Sequence, residues 1–334
     1  MKVKTVLRKA KAKKRSVEDL HIVRFYSSYV TISQGKVIEV TEPYMTFCPL
    51  ANFLYRNIGL SGNSGEITQA IRRGVSEKIA RFGHFTEKRE LYDDSIAVPY
   101  GASEMMMYAL KKKSIEAAVV VCEGAGTVIV SKPELVQGIG ARMNGLFFTS
   151  PIKKIAKKLK EAGTHVVFED ASINQIEGVR KAAELGYKNI SVTINCSMDE
   201  PFKKIQEIEK KFGVSVVILA ICTTGITQKR IKEINQYADL VWSCASDKLR
   251  EIIGKAAILQ ISRKIPVFVL TKKGLRFASN YCSEEELIKE LDINKQYFIA
   301  SNSGNRKVTM GNFDVYLHET SLPVRDKKEP AVHE

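Results

Sequence analysis

No run of eighteen apolar residues occurs anywhere in the chain, so no segment reads as a membrane-spanning helix. The N-terminus is rich in lysine but lacks the apolar stretch and small-residue cleavage site of a secretory signal, which predicts a cytoplasmic protein. Six cysteines are present without a single Cys-x-x-Cys spacing. A zinc ribbon, a thioredoxin motif or a ferredoxin-type cluster loop therefore has no local support, and in a reducing compartment the thiols are expected free rather than paired. The five histidines are scattered, with no Ser/His/Asp set and no metal-ligand spacing. Two Gly-x-Gly turns, Gly124/Gly126 and Gly138/Gly140, lack the third glycine and the Lys-Ser/Thr of nucleotide fingerprints, which removes Rossmann and P-loop assignments.

What is present is an ordinary globular composition, 44% hydrophobic and 27% charged over 334 residues, enough to bury a sizeable core. The net charge of +15 resembles a nucleic-acid signal until its location is considered. Lys2, Lys4, Arg8, Lys9, Lys11, Lys13, Lys14 and Arg15 form an acid-free arm that supplies about half of the excess. Without aromatic residues the arm offers no stacking platform, so it reads as a solvated, disordered tail, and nucleic acid is expected to bind only through it.

Three short β-like runs, His21 to Phe25, Tyr29 to Ile32 and Lys36 to Val40, are separated by turn residues and predict a small antiparallel meander. From Ile96 onward, apolar runs alternate with helical segments. The strand candidates are Ile96 to Pro99, Ala117 to Val121, His165 to Glu169, Ile190 to Ile194, Val214 to Ile221, Leu240 to Trp242 and Pro266 to Leu270. The pattern predicts an α/β fold, a mostly parallel sheet flanked by helices, doubly wound or barrel-like, behind the meander. Tyr297 to Ala300 and Lys307 to His318 read as a closing hairpin. The organisation expected is a basic arm over 1–17, the meander with Cys48-Pro49-Leu50 over 18–58, an α/β core over 59–320 and a loose tail over 321–334.

Four of the strand-like runs end on cysteine: Cys122, Cys196, Cys222 and Cys244. If the strands are parallel, their carboxyl ends open on one crevice, the usual place for ligands in open α/β sheets. Each cysteine taken alone reads as core, since free cysteine packs as a small hydrophobe; the repetition is the functional signal. The turns after the strands are rich in small and polar groups. Gly101 and Ser103 precede a helix, and Gly124, Gly126 and Thr127 follow Cys122. Gln137, Gly138 and Gly140 form a second turn, while Thr223, Thr224 and Ser246 follow later strands. These residues are candidates for holding a small anionic metabolite or coenzyme, against the plainer reading of helix caps and tight turns. Glu123 and Asp170 are carboxylates placed for acid/base work.

The phrases Cys48-Pro49-Leu50, Arg81-Phe82-Gly83, Gly101 to Glu104, Val120 to Ile129, Pro133 to Gly140 and Ser243 to Ser246 occur in an order that resembles methanogenesis marker protein 8, a family also filed as a domain of unknown function. The resemblance covers about residues 20 to 280. It implies a cytoplasmic protein of methane-producing archaea and related anaerobes that serves methanogenesis or a neighbouring one-carbon process, alone or with protein partners. It brings no established reaction, cofactor or catalytic residue. Where the family commonly carries histidine, this chain has Cys222; where it commonly carries aspartate, it has Glu123.

Two readings follow. In the first, Cys122, Cys222 and Cys244, with Cys48, hold a metal ion or iron-sulfur cluster or act as redox nucleophiles, with Cys122, Glu123 and Asp170 as the reacting groups. In the second, the chain is a noncatalytic sensor or partner-binding protein whose glycine turns hold an anionic metabolite while the cysteines are core.

Overall fold

The computed structural model describes residues 19–25, 27–43, 64–143, 145–198, 200–244, 246–263, 265–301, 304 and 306–325. The basic arm, Cys48-Pro49-Leu50 and the tail beyond Arg325 lie outside the described residues.

The meander forms as its alternation predicts: β1 (His21–Phe25), β2 (Ser28–Ser33) and β3 (Lys36–Val40). A 19-residue helix, α1 (Ser64–Phe82), buries Ile67, Ile71 and Val75 at helical spacing. Then come α2 (Ala102–Lys111), the hairpin of β4 (Ala117–Cys122) and β5 (Gly126–Val130), α3 (Pro133–Gly140) and β6 (Gly145–Thr149), which returns to pair with β1. After α4 (Lys153–Glu161) and the two-residue β7 (His165–Val166), helices and strands alternate: α5 (Gln175–Glu184), β8 (Asn189–Asn195), α6 (Lys203–Phe212), β9 (Ser215–Ile221), α7 (Gln228–Tyr237), β10 (Leu240–Trp242) and α8 (Asp247–Ala256). The chain ends with β11 (Leu259–Ile261), β12 (Val267–Val269), α9 (Lys272–Ser279), α10 (Glu285–Lys289), β13 (Tyr297–Ser301), β14 (Arg306–Met310) and β15 (Phe313–Glu319).

Two sheets result. A four-stranded antiparallel sheet runs β3-β2-β1-β6, and an eleven-stranded sheet runs β14-β15-β13-β11-β12-β10-β9-β8-β4-β5-β7. The large sheet is open and wound on both faces. Along β4, Ala118, Val120 and Cys122 pack with α2, α3 and α4 on one side, while Ala117 and Val119 pack with α5 and α6 on the other. No helix among the described residues is long and apolar enough to cross a membrane.

The expectation of a mostly parallel sheet is corrected. Of the ten pairings in the large sheet, six are antiparallel and four parallel. Parallel neighbours need a crossover of a dozen or more residues, whereas β4 turns into β5 through Glu123-Gly124-Ala125, and β11 reaches β12 through a short loop. The Gly-x-Gly read as a ligand turn is the tip of that first hairpin, with φ of 76° at Gly124 and 68° at Gly126. The barrel alternative fails because β14 and β7 remain as open edges. The parallel core is nevertheless where the cysteine pattern put it: β4, β8, β9 and β10 are consecutive neighbours, all parallel.

Two local expectations also fall. Ile96 to Pro99 is not a strand, because the Ala97 and Val98 amides each donate to the buried Glu104 carboxylate at 3.1 Å instead of to a neighbouring strand. The closing hairpin is β14 with β15, and β13 pairs with β15 rather than β14.

A Cβ at Gly126 would stand 2.3 Å from the Ala171 carbonyl oxygen, whereas one at Gly163, which also has positive φ, meets nothing within 4 Å. Gly126→Ala is expected to lower the unfolding free energy by about 3 kcal/mol and Gly163→Ala by about 1 kcal/mol, the first combining overlap with backbone strain and the second strain alone. Denaturant unfolding of the two full-length variants checks this; equal losses would mean that the hairpin tip does not pack as described.

Candidate active site: a cavity at the carboxyl ends of the parallel strands

The carboxyl ends of β4, β8, β9 and β10 do open on one chamber, closed above by α2 and α3 and at the side by β1 and β6 of the small sheet. Its volume is about 260 Å³, just under the range usual for drug-sized ligands, so it suits a small molecule. The walls are mainly apolar, including Met106, Val120, Val136, Ile139 and Trp242. A larger surface groove between α5 and α6, about 610 Å³, shares Ile173, Met198 and Glu200 with the chamber, and those three residues stand between the two spaces.

Among the polar groups that line this mainly apolar chamber are Arg24, Asn195 and Glu200. Arg24, 8% exposed on β1, donates to the carbonyl oxygens of Cys222 at 3.1 Å and Thr224 at 3.2 Å and to Ser197 Oγ at 3.0 Å. The small sheet thus pins the turn after β9 and brings a cation to the wall. Asn195, at the end of β8 and 9% exposed, accepts from the Ser197 amide through Oδ1 at 3.1 Å. Its Nδ2 has no hydrogen-bond partner, and a buried donor left so costs on the order of 1–3 kcal/mol. Burial raises the Glu200 carboxyl above its ordinary range, although the Gln175 amide donates to it at 2.7 Å.

Two of the four strand-end thiols line the chamber, Cys222 and Cys244. Both have positive φ, 57° and 33°, a region that costs a non-glycine residue on the order of 1 kcal/mol and that persists where surrounding structure enforces it. The Cys222 sulfur fits only because residue 145 is glycine, where a Cβ would stand 2.7 Å from Sγ. Burial pushes the Cys222 thiol up to about 11; Arg24 pulls against this, and Cys244 adds to it. Cys196 lies behind them, 3% exposed in the core of the opposite face. Burial raises its thiol too, with Cys222 and Cys244 as weaker contributors of the same sign. Cys122 is fully buried under α2 and α3 and does not line the chamber, and Cys48 lies outside the described residues. No group of three or more His, Cys, Asp or Glu side chains converges as a metal site among the described residues.

Glu123 sits at the β4–β5 hairpin tip, wholly buried. Arg89 Nε donates to its Oε1 at 2.5 Å and His84 Nδ1 lies 2.7 Å from the same oxygen. Burial pushes its carboxyl up, but Arg89 and His84 more than offset this and hold it at about 2. Such a group is an ion-pair anchor, unlike a base facing substrate. Asp170 is exposed and accepts from the amide and hydroxyl of Ser172 in a local turn.

The glycine turns are filled by the protein itself. A Cβ at Gly101 would lie 2.0 Å from Glu104 Oε2, at Gly138 2.0 Å from the Leu91 carbonyl oxygen, at Gly140 2.4 Å from Ser103 Cβ, and at Gly124 2.7 Å from Ile152. Ser103 donates to Glu104 Oε2 at 3.1 Å, so a carboxylate already occupies the N-terminal end of α2. Gln137 donates to Glu104 Oε1 and the Ser95 carbonyl oxygen. Thr127 donates to Gln175 Oε1, Thr223 donates to the Trp242 carbonyl oxygen, and Ser246 caps α8 through the Leu249 amide. Of this set, Gly101, Ser103, Gly140 and Thr224 line the chamber.

Sequence reading passed over Arg24 and Asn195. The available signal for Arg24 was a lone cation inside an apolar strand, since all five residues of β1 are buried.

The profile of a family described as an uncharacterized protein conserved in archaea, domain of unknown function 2099, matches residues 21–282. The chain belongs to this family. It is also 40% identical over 247 residues to "Uncharacterized protein MJ0054" of Methanocaldococcus jannaschii, an alignment that covers 73% of this chain and 84% of the relative. No solved structure matches. The matched region of this archaeal family contains Arg24, Asn195, Cys222 and Cys244, together with the Glu123 anchor.

Glu123 gives a pH test. Its carboxyl is held below the unfolded value, so it contributes stability above about pH 4.5 that is lost as pH falls toward 2. At pH 7, Glu123→Gln is expected to cost on the order of 3 kcal/mol by leaving Arg89 buried and unpaired. The gap to wild type should narrow below pH 4.5. Chemical denaturation at stepped pH measures it, and a gap that does not change with pH would contradict the assigned anchor.

Proposed function

We propose that the chain binds a small organic molecule in the strand-end chamber and that Cys222 and Cys244 are the groups through which it acts on that molecule. The ligand has an apolar body for the Met106, Val136 and Trp242 walls and an oxygen or anionic end for Asn195 Nδ2 and the Arg24 guanidinium. The single observation that carries the reading is Asn195, which lines the mainly apolar chamber, is nine-tenths buried and leaves its Nδ2 donor without a partner. A chamber evolved only as packing would be filled by side chains, whereas this one combines an unsatisfied donor, a cation and two thiols with enforced backbone strain. The setting in methanogenesis or related anaerobic one-carbon metabolism is supported by the resemblance of the Val120 to Ile129 and Pro133 to Gly140 phrases to methanogenesis marker protein 8.

The test is anaerobic purification without a chelating tag, followed by native mass spectrometry and elemental analysis. A retained organic mass present in wild type and reduced about tenfold or more in Asn195→Leu is expected, since loss of a buried hydrogen bond to a ligand costs about 1.5–3 kcal/mol. Thermal melting of the variant separates lost binding from lost folding. Stoichiometric iron, zinc or nickel that disappears in Cys222→Ser would instead favour a thiolate metal site and overturn the organic-ligand reading.

A further inference from the structure

Resting on the chamber as a ligand site, we infer that Cys222 and Cys244 form a dithiol that reduces a small organic disulfide bound there. Both line the same chamber, and neither is paired with another cysteine. They follow adjacent parallel strands, β9 and β10, whose register matches Leu219 with Leu240 and Ala220 with Val241. Both residues leave their strands with positive φ, so each turns out of the sheet, and both reach the lining of the one chamber. Thr223 Oγ1 donates to the Trp242 carbonyl oxygen at 2.7 Å, so the two chains stay tied beyond the strands. Cys244 adds to the rise of the Cys222 thiol, as a nearby thiol does.

The surroundings give the two thiols different tasks. Cys222 has Arg24 beside it, a fixed cation that pulls against the rise burial imposes on its thiol, and its carbonyl oxygen is held by Arg24 and Ser197. It is the attacking group. Cys244 has its carbonyl oxygen held by Arg250 at 2.5 Å and is the resolving group. Cys222, losing its proton, attacks one sulfur of R–S–S–R′; the S–S bond breaks and R′S⁻ leaves to take a proton as R′SH. Cys244, losing its proton, then attacks Cys222 Sγ, forming the Cys222–Cys244 disulfide and expelling RS⁻, which is protonated to RSH. The substrate disulfide gains two electrons and two protons and the dithiol loses them. Cys122 and Cys196, buried elsewhere, take no part.

The test uses full-length protein, reduced and freed of reductant under anaerobic conditions, with hydroxyethyl disulfide as the probe. Expected are the release of two thiols per chain, the formation of a Cys222–Cys244 disulfide by peptide mapping, and, in Cys244→Ser, a stable adduct of one mercaptoethanol unit on Cys222. Cys222→Ser should lose reaction at both positions. Mapping on wild type needs no variant to fold, and circular dichroism confirms the variants. A wild type whose Cys222 and Cys244 remain free, or an adduct that settles on Cys48 or Cys282 while these two stay free, would overturn the inference. Retention of a native ligand in the doubly substituted Cys222→Ser/Cys244→Ser protein would show that the chamber binds even if the dithiol is inert, which separates failure of this step from failure of the binding reading.

Discussion

A wholly buried carboxylate at a hairpin tip has to be paired, and the pairing of Glu123 draws distant parts of the chain together. Moving a carboxylate out of water costs several kcal/mol even after relaxation. Arg89 and His84, in the segment after α1, supply the compensation. Arg89 also donates to the Gly138 carbonyl oxygen at 2.7 Å, which binds α3 to the same point, and Gly138 has no room for a side chain there. One charge therefore fixes the loop after α1, the β4–β5 hairpin and the helix that roofs the chamber. Lys78, on α1, is drawn in as well: burial and the neighbouring Arg142 and Arg89 lower its ammonium to about 7, with only Glu123 opposing.

A second buried carboxylate repeats the principle on the chamber's other side. Glu104 accepts from the Ala97 and Val98 amides, Ser103 and Gln137. It holds the segment before α2 irregular, and it occupies the helix start that an anionic ligand would otherwise use. The two acids thus build walls, and Arg24, Asn195, Cys222 and Cys244 are among the groups that line the chamber. Arg24 links the layers, because its strand belongs to the small sheet while its hydrogen bonds end on the turn after β9 in the large one. The small sheet is in this sense part of the site, an inner wall carrying the only arginine of β1.

The sequence by itself determined the local elements and one non-local fact. The alternation of apolar runs with helical segments after Ile96 was legible in the chain, since helical amphipathicity is written in neighbouring positions. The repeated cysteine at strand ends correctly grouped β4, β8, β9 and β10 as parallel neighbours around one crevice. Tertiary structure decided everything that depends on which face a residue meets. Of the six antiparallel pairings in the large sheet, β4 with β5, β11 with β12 and β14 with β15 follow from short connections, whereas in the small sheet β6 returns to β1 from more than a hundred residues away. Four similar strand-end cysteines acquired three fates: Cys122 turned under the helices beside Glu123, Cys196 into the opposite core, Cys222 and Cys244 into the chamber. Side chains on a strand alternate between faces, so a shift of one residue at a strand end separates a core thiol from one that lines the chamber. The charge of Glu123 was visible in the chain, but its role was set by Arg89 and His84 arriving from more than thirty residues away in sequence, because the cost of burying a charge is met only by groups that folding brings to it.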